Sequence, residues 1–410
     1  MSGPNPLRHS VLMVAYTDYQ TDPRVIREAE AAASAGFRVD FLALRRNGDP
    51  PQQSIRGVHV FHLDQSRYRG TSVIAYLFSY IEFFLRCTIK IVALQIRERY
   101  SVVHVNNMPD FLVFCAVLPK LMGAKVVLDI HDPMANTFAS KFNGGGGSWC
   151  FKLLLWQERL SAAFADRVIT VHEPLKHHVL VKQHGLAAEA IDVIANFADN
   201  DLFVPRCPAR NDDRLRFVFH GTILERYGLR NAMHSLAGMQ RRDRISVTLI
   251  GEGDFSATLK ALLASLGLNR TVRFDNRKYP VHDMPSLLAE FDVGLVPLEI
   301  SSITNYALPL KLLEYVALGM PSVTVRNVAI GHYFGDGDCF WYDPTDVESL
   351  RCLLDHLADA PNVVREYHRR ALVLRERFLW TAEREKYVAL LRKFADGPIA
   401  AGRTSARSIR

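Results

Sequence analysis

The chain has 410 residues, 49% of them apolar, with 50 Lys and Arg against 43 Asp and Glu. It is long enough for about two hydrophobic cores and too apolar and too evenly charged for a disordered segment. The net charge of +7 is dispersed except in the closing AGRTSARSIR, which argues against a nucleic-acid surface. The six Cys (Cys87, Cys115, Cys150, Cys207, Cys339, Cys352) have no metal-ligand spacing and read as reduced core thiols of a cytosolic protein. The opening MSGPNPLRHS lacks the apolar run of a secretion signal.

Short apolar strands alternate with helices of roughly ten to fifteen residues, the pattern of a doubly wound parallel sheet. In the first half, strands are expected near Ser10–Ala15, Arg38–Leu44, Val102–Val105, Lys125–Asp129, Arg167–Val171 and Asp192–Ile194. After the first comes TDYQTDPRVIREAE, where Asp22 is placed to cap a helix that Pro23 opens. Thr71–Ile96 is the longest apolar segment, interrupted by Glu82, Arg86 and Lys90. Each of these charges costs roughly 2.5 to 3.5 kcal/mol at a bilayer centre, which excludes a spanning helix. Two readings remain, a helix packed on the sheet and a helix that also lies in a membrane interface. Ligands of an open parallel sheet gather at the carboxyl ends of its strands. Asn106, Asn107 and His131, flanked by Asp129 and Asp132, stand at such ends and are either binding groups or structural ones.

Phe197–Leu215, FADNDLFVPRCPARNDDRL, is polar, proline-bearing and aperiodic, as a domain boundary is. The expected division is 1–198, 199–376, a helix at 377–396 that crosses back to the first domain, and a flexible basic tail at 397–410. Second-half strands are expected near Arg216–Phe219, Ser246–Ile250, Thr271–Phe274, Val293–Val296 and Ser322–Val325, with only helices after them. The first leads into HGTILERYGL, where Gly221 lets the backbone approach a phosphate and Arg226 either neutralises it or is solvated at a helix start. LIGEGDF puts Gly251, Glu252 and Gly253 at the next strand end, and FDNRKYP puts Asn276 and Arg277 at the one after.

The densest motif is NYALPLKLLEYVALGMPSVTV, residues 305–325. Pro309 can open a helix, Leu312, Leu313, Val316 and Ala317 recur at helical spacing, and Gly319 and Pro321 stop it before a strand. Lys311 and Glu314 share a face of the first turns. A cation at a helix start holds an anion, and a Glu accepts hydrogen bonds from sugar hydroxyls. Together they could hold a nucleotide sugar by its diphosphate and ribose.

This segment resembles the donor-binding motif of glycosyltransferase family 4, in a form that reads PxKxxEYxxxGxP. The resemblance implies an α/β protein of GT-B fold, with two Rossmann-like doubly wound domains facing a cleft. It implies a retaining, metal-independent glycosyltransferase that moves a hexosyl group from a nucleotide-diphosphate sugar to a hydroxyl of a glycan or lipid-linked acceptor. Polysaccharide or envelope glycan synthesis is the expected setting, in the cytoplasm, either free or peripheral at the inner face of the membrane. Carried onto this chain, Glu314 contacts the ribose, His131 reaches the donor sugar, and Arg226 and Lys311 meet the charge of the departing diphosphate. Gly221, Gly251, Glu252, Gly253, Asn276, Arg277 and Tyr306 complete the donor side, and Asp22, Arg24 and Asn107 stand on the acceptor side. The commoner family pattern has two Glu eight positions apart, and here the first place holds Tyr306. Likewise Thr222 and Tyr227 stand where an Arg and a Lys are usual. The departures keep open a non-catalytic GT-B-like subunit of a glycan assembly system, or a nucleotide-sugar epimerase. There is no HExxH, clustered Cys and His, Walker loop or catalytic triad, and the DxD at Asp336 to Asp338 is isolated in a glycine loop. No metal or other cofactor is expected.

Overall fold

The structure, a computed structural model, describes residues 9–46, 48–68, 72–141, 149–205, 214–301 and 304–396. It divides into two compact units: Met1–Val171 with His184–Ile194 and Arg384–Arg410, and His172–Gln183 with Ala195–Glu383. The basic tail, the opening MSGPNPLR and Cys207 lie outside the described residues.

The first unit is built on eight strands, β1 Ser10–Val14, β2 Arg38–Leu44, β3 Gln52–Ile55, β4 Val58–Leu63, β5 Val102–Asn106, β6 Lys125–Asp129, β7 Arg167–Thr170 and β8 Ile191–Val193. Their order is β3-β4-β2-β1-β5-β6-β7-β8, parallel throughout except for the β3–β4 pair. Central strands β1 and β5 are buried along their whole length, as continuous apolar runs covered on both faces must be. The hairpin β3–β4 was not expected from the sequence. Its turn is Arg56–Gly57, both at positive φ (45° and 84°), so the chain uses a two-residue turn without the usual Asn or Asp. The polar QQSI of β3 alternates half-buried and exposed at the sheet edge.

Among its described residues this unit holds the α-helices α1 Pro23–Ser34, α2 Val73–Glu98, α3 Val117–Leu121, α4 Met134–Lys141 and α5 Trp149–Phe164. Asp22 caps α1, accepting from the Arg24 backbone N–H at 3.3 Å, with Pro23 in the first turn. Along α2, Phe83, Cys87, Ile91 and Leu94 recur at helical spacing and are all buried. Among the described residues no helix is long and apolar enough to cross a membrane.

The second unit carries six parallel strands, β9 Leu215–His220, β10 Ile245–Ile250, β11 Val272–Asp275, β12 Val293–Val296, β13 Ser322–Val325 and β14 Phe340–Tyr342, in the order β11-β10-β9-β12-β13-β14. Its helices are α6 Leu229–Ala237, α7 Ser256–Ser265, α8 Met284–Leu288, α9 Leu310–Ala317, α10 Val328–Tyr333, α11 Val347–Asp359 and α12 Pro361–Leu374. A last helix, α13 Trp380–Asp396, begins in the second unit and ends in the first. The expectation that only helices follow Val325 is corrected by β14, an edge strand of three residues and so too short to show alternation. The polar boundary segment is corrected as well. Phe197, Ala198 and Phe203 are buried in the core of the second unit with Val218, Leu312 and Tyr315, and the chain changes unit after Ile194. His172–Gln183, read with the first domain, clusters with the second. Of the cysteines, Cys87, Cys115 and Cys339 are buried as expected, Cys150 is half-buried, and Cys352 is exposed rather than core.

Candidate functional site

At the carboxyl ends of β9 and β10 two loops lie against each other. The Gly221 N–H donates to the Ile250 carbonyl at 2.9 Å, with Gly221 at φ +111° and Gly251 at φ +140°. A Cβ on Gly251 would sit 1.8 Å from the Gly221 carbonyl oxygen, and one on Gly253 2.2 Å from the Ile223 oxygen. Both glycines are therefore demanded by a neighbouring backbone. Glu252 lies half-buried between them, its carbonyl accepting from the Ile223 N–H at 3.1 Å.

Helix α9 starts beside these loops, with Pro309 at its N-cap. The stem of Lys311 runs under Gly221, where an added Cβ would meet Cε at 3.5 Å and Nζ at 3.6 Å. Its ammonium lies 3.6 Å from the Phe219 ring centroid and 4.6 Å from that of Tyr227. Among the described residues it makes no ion pair, and burial pushes its pKa down to about 7 against the opposing pull of Glu314. Tyr227 also receives the guanidinium of Arg226, 5.6 Å from the ring centroid. Arg226 sits on the short turn Glu225–Tyr227 ahead of Gly228 (φ +67°) and makes no ion pair among the described residues. Two cations thus share one aromatic ring.

Glu314 is buried, and its Oε2 lies 2.6 Å from Nε2 of His220, the last residue of β9. His220 Nδ1 is 2.9 Å from the Tyr315 hydroxyl, which donates to the Val218 carbonyl at 3.0 Å. A hydroxyl whose proton goes to a carbonyl can only accept from the ring, so His220 donates on that side and faces a carboxylate on the other. The ring of Tyr315 rests where a Cβ on Gly294 would come within 2.1 Å of it, which seats α9 flush on β12. Sequence reasoning missed His220. Its one signal was its place, the last strand residue before Gly221.

The other donor-side candidates are more scattered. Asn276 is exposed. Arg277 is held by Asp275 through two hydrogen bonds of 2.7 and 2.8 Å, and this pairing, with the Tyr279 hydroxyl, holds the Asp275 carboxyl down at about 2. The guanidinium charge of Arg277 is therefore already neutralised. Tyr306 stacks on His178, ring centroids 5.5 Å apart and 24° between planes. A concavity of about 650 Å³, with Arg214, Arg216 and Arg273 on its wall, opens at the amino ends of β9 to β11. That is the opposite end from the one at which such sheets hold ligands.

In the first unit the structure gathers His131, Asp22, Arg24 and Asn107 around Asp132. Arg24 grips Asp22 with two bonds of 3.1 Å and reaches Asp132 at 3.3 Å. Burial would raise the Asp22 carboxyl, but the Arg24 charge outweighs it and holds the group below the usual carboxylate range. Asn107 donates to Asp110 and to the Asp132 carbonyl, both at 2.8 Å, and accepts from the His131 N–H at 3.2 Å. Its amide is thus committed at both ends, to shaping the loop that presents His131. The His131 ring is buried, Nδ1 lying 3.3 Å from Asp129 and Nε2 3.9 Å from Asp132. Beneath it, Glu28, His104 and Asp129 bring one ligand atom each within 4.8 Å of one another, a set that could hold a metal ion. Burial and the Asp129 charge push Glu28 well above the usual carboxyl range, and burial pushes His104 down to about 4. The neutral His104 imidazole has its Nδ1 2.7 Å from the Tyr387 hydroxyl.

Residues 21–196 match the family model described as the glycosyl transferase 4-like domain, and residues 205–371 match that of glycosyl transferases group 1. No curated protein matches the chain. Among solved structures it is similar to a sucrose-phosphate synthase from Thermosynechococcus elongatus, at 16% identity and TM-score 0.76, over 95% of this chain and 100% of that one. It is similar to HepE from Anabaena, solved with UDP and glucose, at 14% identity and TM-score 0.69, over 94% of this chain and 100% of that one. WaaG, described as a glycosyltransferase involved in lipopolysaccharide biosynthesis, aligns at 14% identity and TM-score 0.65, over 96% and 100%. At such identities the likeness establishes the fold, which is GT-B.

Proposed function

From the premise that this chain belongs to the glycosyltransferases built of a 4-like domain followed by a group 1 domain, we propose that its second unit binds a nucleotide-diphosphate sugar and that the enzyme transfers the hexosyl group with retention and without a metal. The observation that carries the reading is Lys311, an ammonium caged by Phe219 and Tyr227 under Gly221, with its pKa pushed down to about 7. A cation so desolvated gains most from an anion placed beside it. Arg226, leaning on the same Tyr227 ring, supplies the second charge for the diphosphate.

When the bond from the anomeric carbon to the diphosphate breaks, negative charge grows on the leaving oxygen. Arg226 and Lys311 stabilise that charge more than they stabilise bound donor, which is what lowers a barrier. The acceptor hydroxyl attacks the anomeric carbon from the leaving-group side, and its proton passes to the departing diphosphate, so no side chain acts as a strong base. Glu314, held in place by His220, accepts hydrogen bonds from the ribose. In the first unit His131 offers Nε2 to a sugar hydroxyl, and Asp22 and Arg24 stand on the acceptor side with Asn107 holding their loop. The acceptor is a glycan or a lipid-linked sugar of polysaccharide or envelope synthesis.

A screen of UDP-, GDP- and ADP-sugars by thermal shift tests the reading, followed by donor hydrolysis on purified protein. One nucleotide sugar is expected to raise Tm and to be slowly hydrolysed. A shift without hydrolysis or transfer favours a non-catalytic subunit, the reading that Tyr306, stacked on His178, supports; no shift with any donor refutes the site.

A further inference from the structure

Nineteen large apolar side chains are exposed among the described residues, and thirteen of them lie on α2, α3 and α5 of the first unit, with Met122 just past the end of α3. The extremes are Ile74 (67%), Phe78 (68%) and Ile89 (73%) on α2, Leu121 (79%) on α3, and Trp149 (74%) and Trp156 (58%) on α5. These helices are neighbours: α2 packs on α3 and on the segment Asp110–Ala116, and α5 packs on that same segment. Phe84 of α2 meets Phe111 at 5.9 Å, and Phe164 of α5 meets Phe114 at 5.2 Å. The exposed side chains therefore lie on three helices joined through one segment. On α2 they recur at helical spacing on the side opposite the buried Phe83, Cys87, Ile91 and Leu94, so the helix is apolar on two faces and covered on one. Apolar exposure of this extent on a soluble protein marks a surface that something else covers.

Charge identifies the cover. Arg86 (45% exposed) and Arg97 (67%) lie along one flank of the α2 stripe, and the exposed Lys152 and Arg159 border the stripe on α5. Glu82 neutralises Arg86 at 2.8 Å, Arg38 and Arg97 share the single Glu98, and Glu158 is buried against His184, so the net positive charge of the border rests on Lys152, Arg159 and the Arg38–Arg97 pair. An apolar stripe with a cationic border complements an anionic lipid surface. A twofold pairing of two copies would instead set one positive border against the other.

We propose that this face docks the first unit on an anionic bilayer, with α2, about 39 Å long at 1.5 Å per residue, lying along the interface and Trp149 and Trp156 at headgroup depth. The docking uses no residue of the donor site and stands or falls separately from it. The test is flotation of the full chain with vesicles of phosphatidylcholine alone and of phosphatidylcholine mixed with phosphatidylglycerol. Binding to the mixed vesicles, weakened by salt, is expected, with little recovery on the neutral ones. Phe78→Asp with Ile89→Asp, and separately Trp156→Asp, are expected to cut vesicle binding roughly tenfold or more while circular dichroism and the nucleotide thermal shift stay unchanged. Arg86→Gln with Arg97→Gln and Lys152→Gln is expected to erase the preference for anionic lipid while keeping the apolar face. The proposal is overturned by absent flotation, by flotation that the Asp variants do not reduce, or by a sedimenting dimer that the Asp variants dissociate without any vesicle binding.

Discussion

The caged ammonium of Lys311 makes donor affinity depend on pH in a calculable way. Burial lowers its pKa from 10.5 to about 7. In the unfolded chain the group keeps its proton to about pH 10.4, so between about pH 7 and that value the unfolded state binds more protons than the folded one. Stability of the free protein therefore rises with pH across this window, by up to roughly 1.4 kcal/mol per pH unit, and flattens below about pH 7, where both states are protonated. Diphosphate binding works in the opposite sense, because the anion prefers charged Lys311 and draws a proton in. Above about pH 7 each further unit should weaken the nucleoside diphosphate Kd close to tenfold, for as long as the bound-state pKa is not reached. Calorimetry between about pH 6 and 9, in buffers of different ionisation enthalpy, reads both the affinity and the proton uptake. Lys311→Met should bind weakly at every pH and take up no proton. Affinity flat across pH 7 to 9, or the same slope in Lys311→Met, would refute the assignment of the phosphate site to this cage.

Glu314→Gln and His220→Ala should each weaken donor binding by ~1.5 to 3 kcal/mol, and the double variant by less than the sum, because one pair carries both effects; a double-mutant cycle in calorimetry measures it. Arg226→Ala should lower kcat more than it raises the donor KM, since the leaving-group charge peaks in the transition state; unchanged turnover would place the phosphate contact elsewhere. His131→Ala should reduce transfer with nucleotide affinity kept, and full activity would return His131 to a structural role. Gly251→Ala should cost more than about 2 kcal/mol in urea unfolding, because its φ of +140° and the Gly221 oxygen 1.8 Å from the new Cβ leave no room.

Strands buried on both faces are legible in sequence as short continuous apolar runs, and Arg38–Leu44, Lys125–Asp129, Val293–Val296 and Ser322–Val325 fall where the sequence places them. Local caps are legible for the same reason, that all their atoms lie within one turn: Asp22 before Pro23 and Pro309 before α9. Lys311 and Glu314, three apart on one helix, were visible as a pair of chemical groups, yet their surroundings were not. The cage of Phe219 and Tyr227, and the bond from Glu314 to His220 across 94 positions of sequence, exist only because β9 and α9 are brought side by side. Gly251 and Gly253 looked like concessions to a ligand, but a neighbouring loop's backbone is what requires them. The Arg56–Gly57 turn carried no strong local signal, so β3 and β4 emerge only from pairing. The apolar character of α2 was plain in its residues; which of its faces the sheet covers, and which joins α3 and α5 outside, is set by helix packing between distant segments, where no periodicity within one helix can choose between two apolar sides.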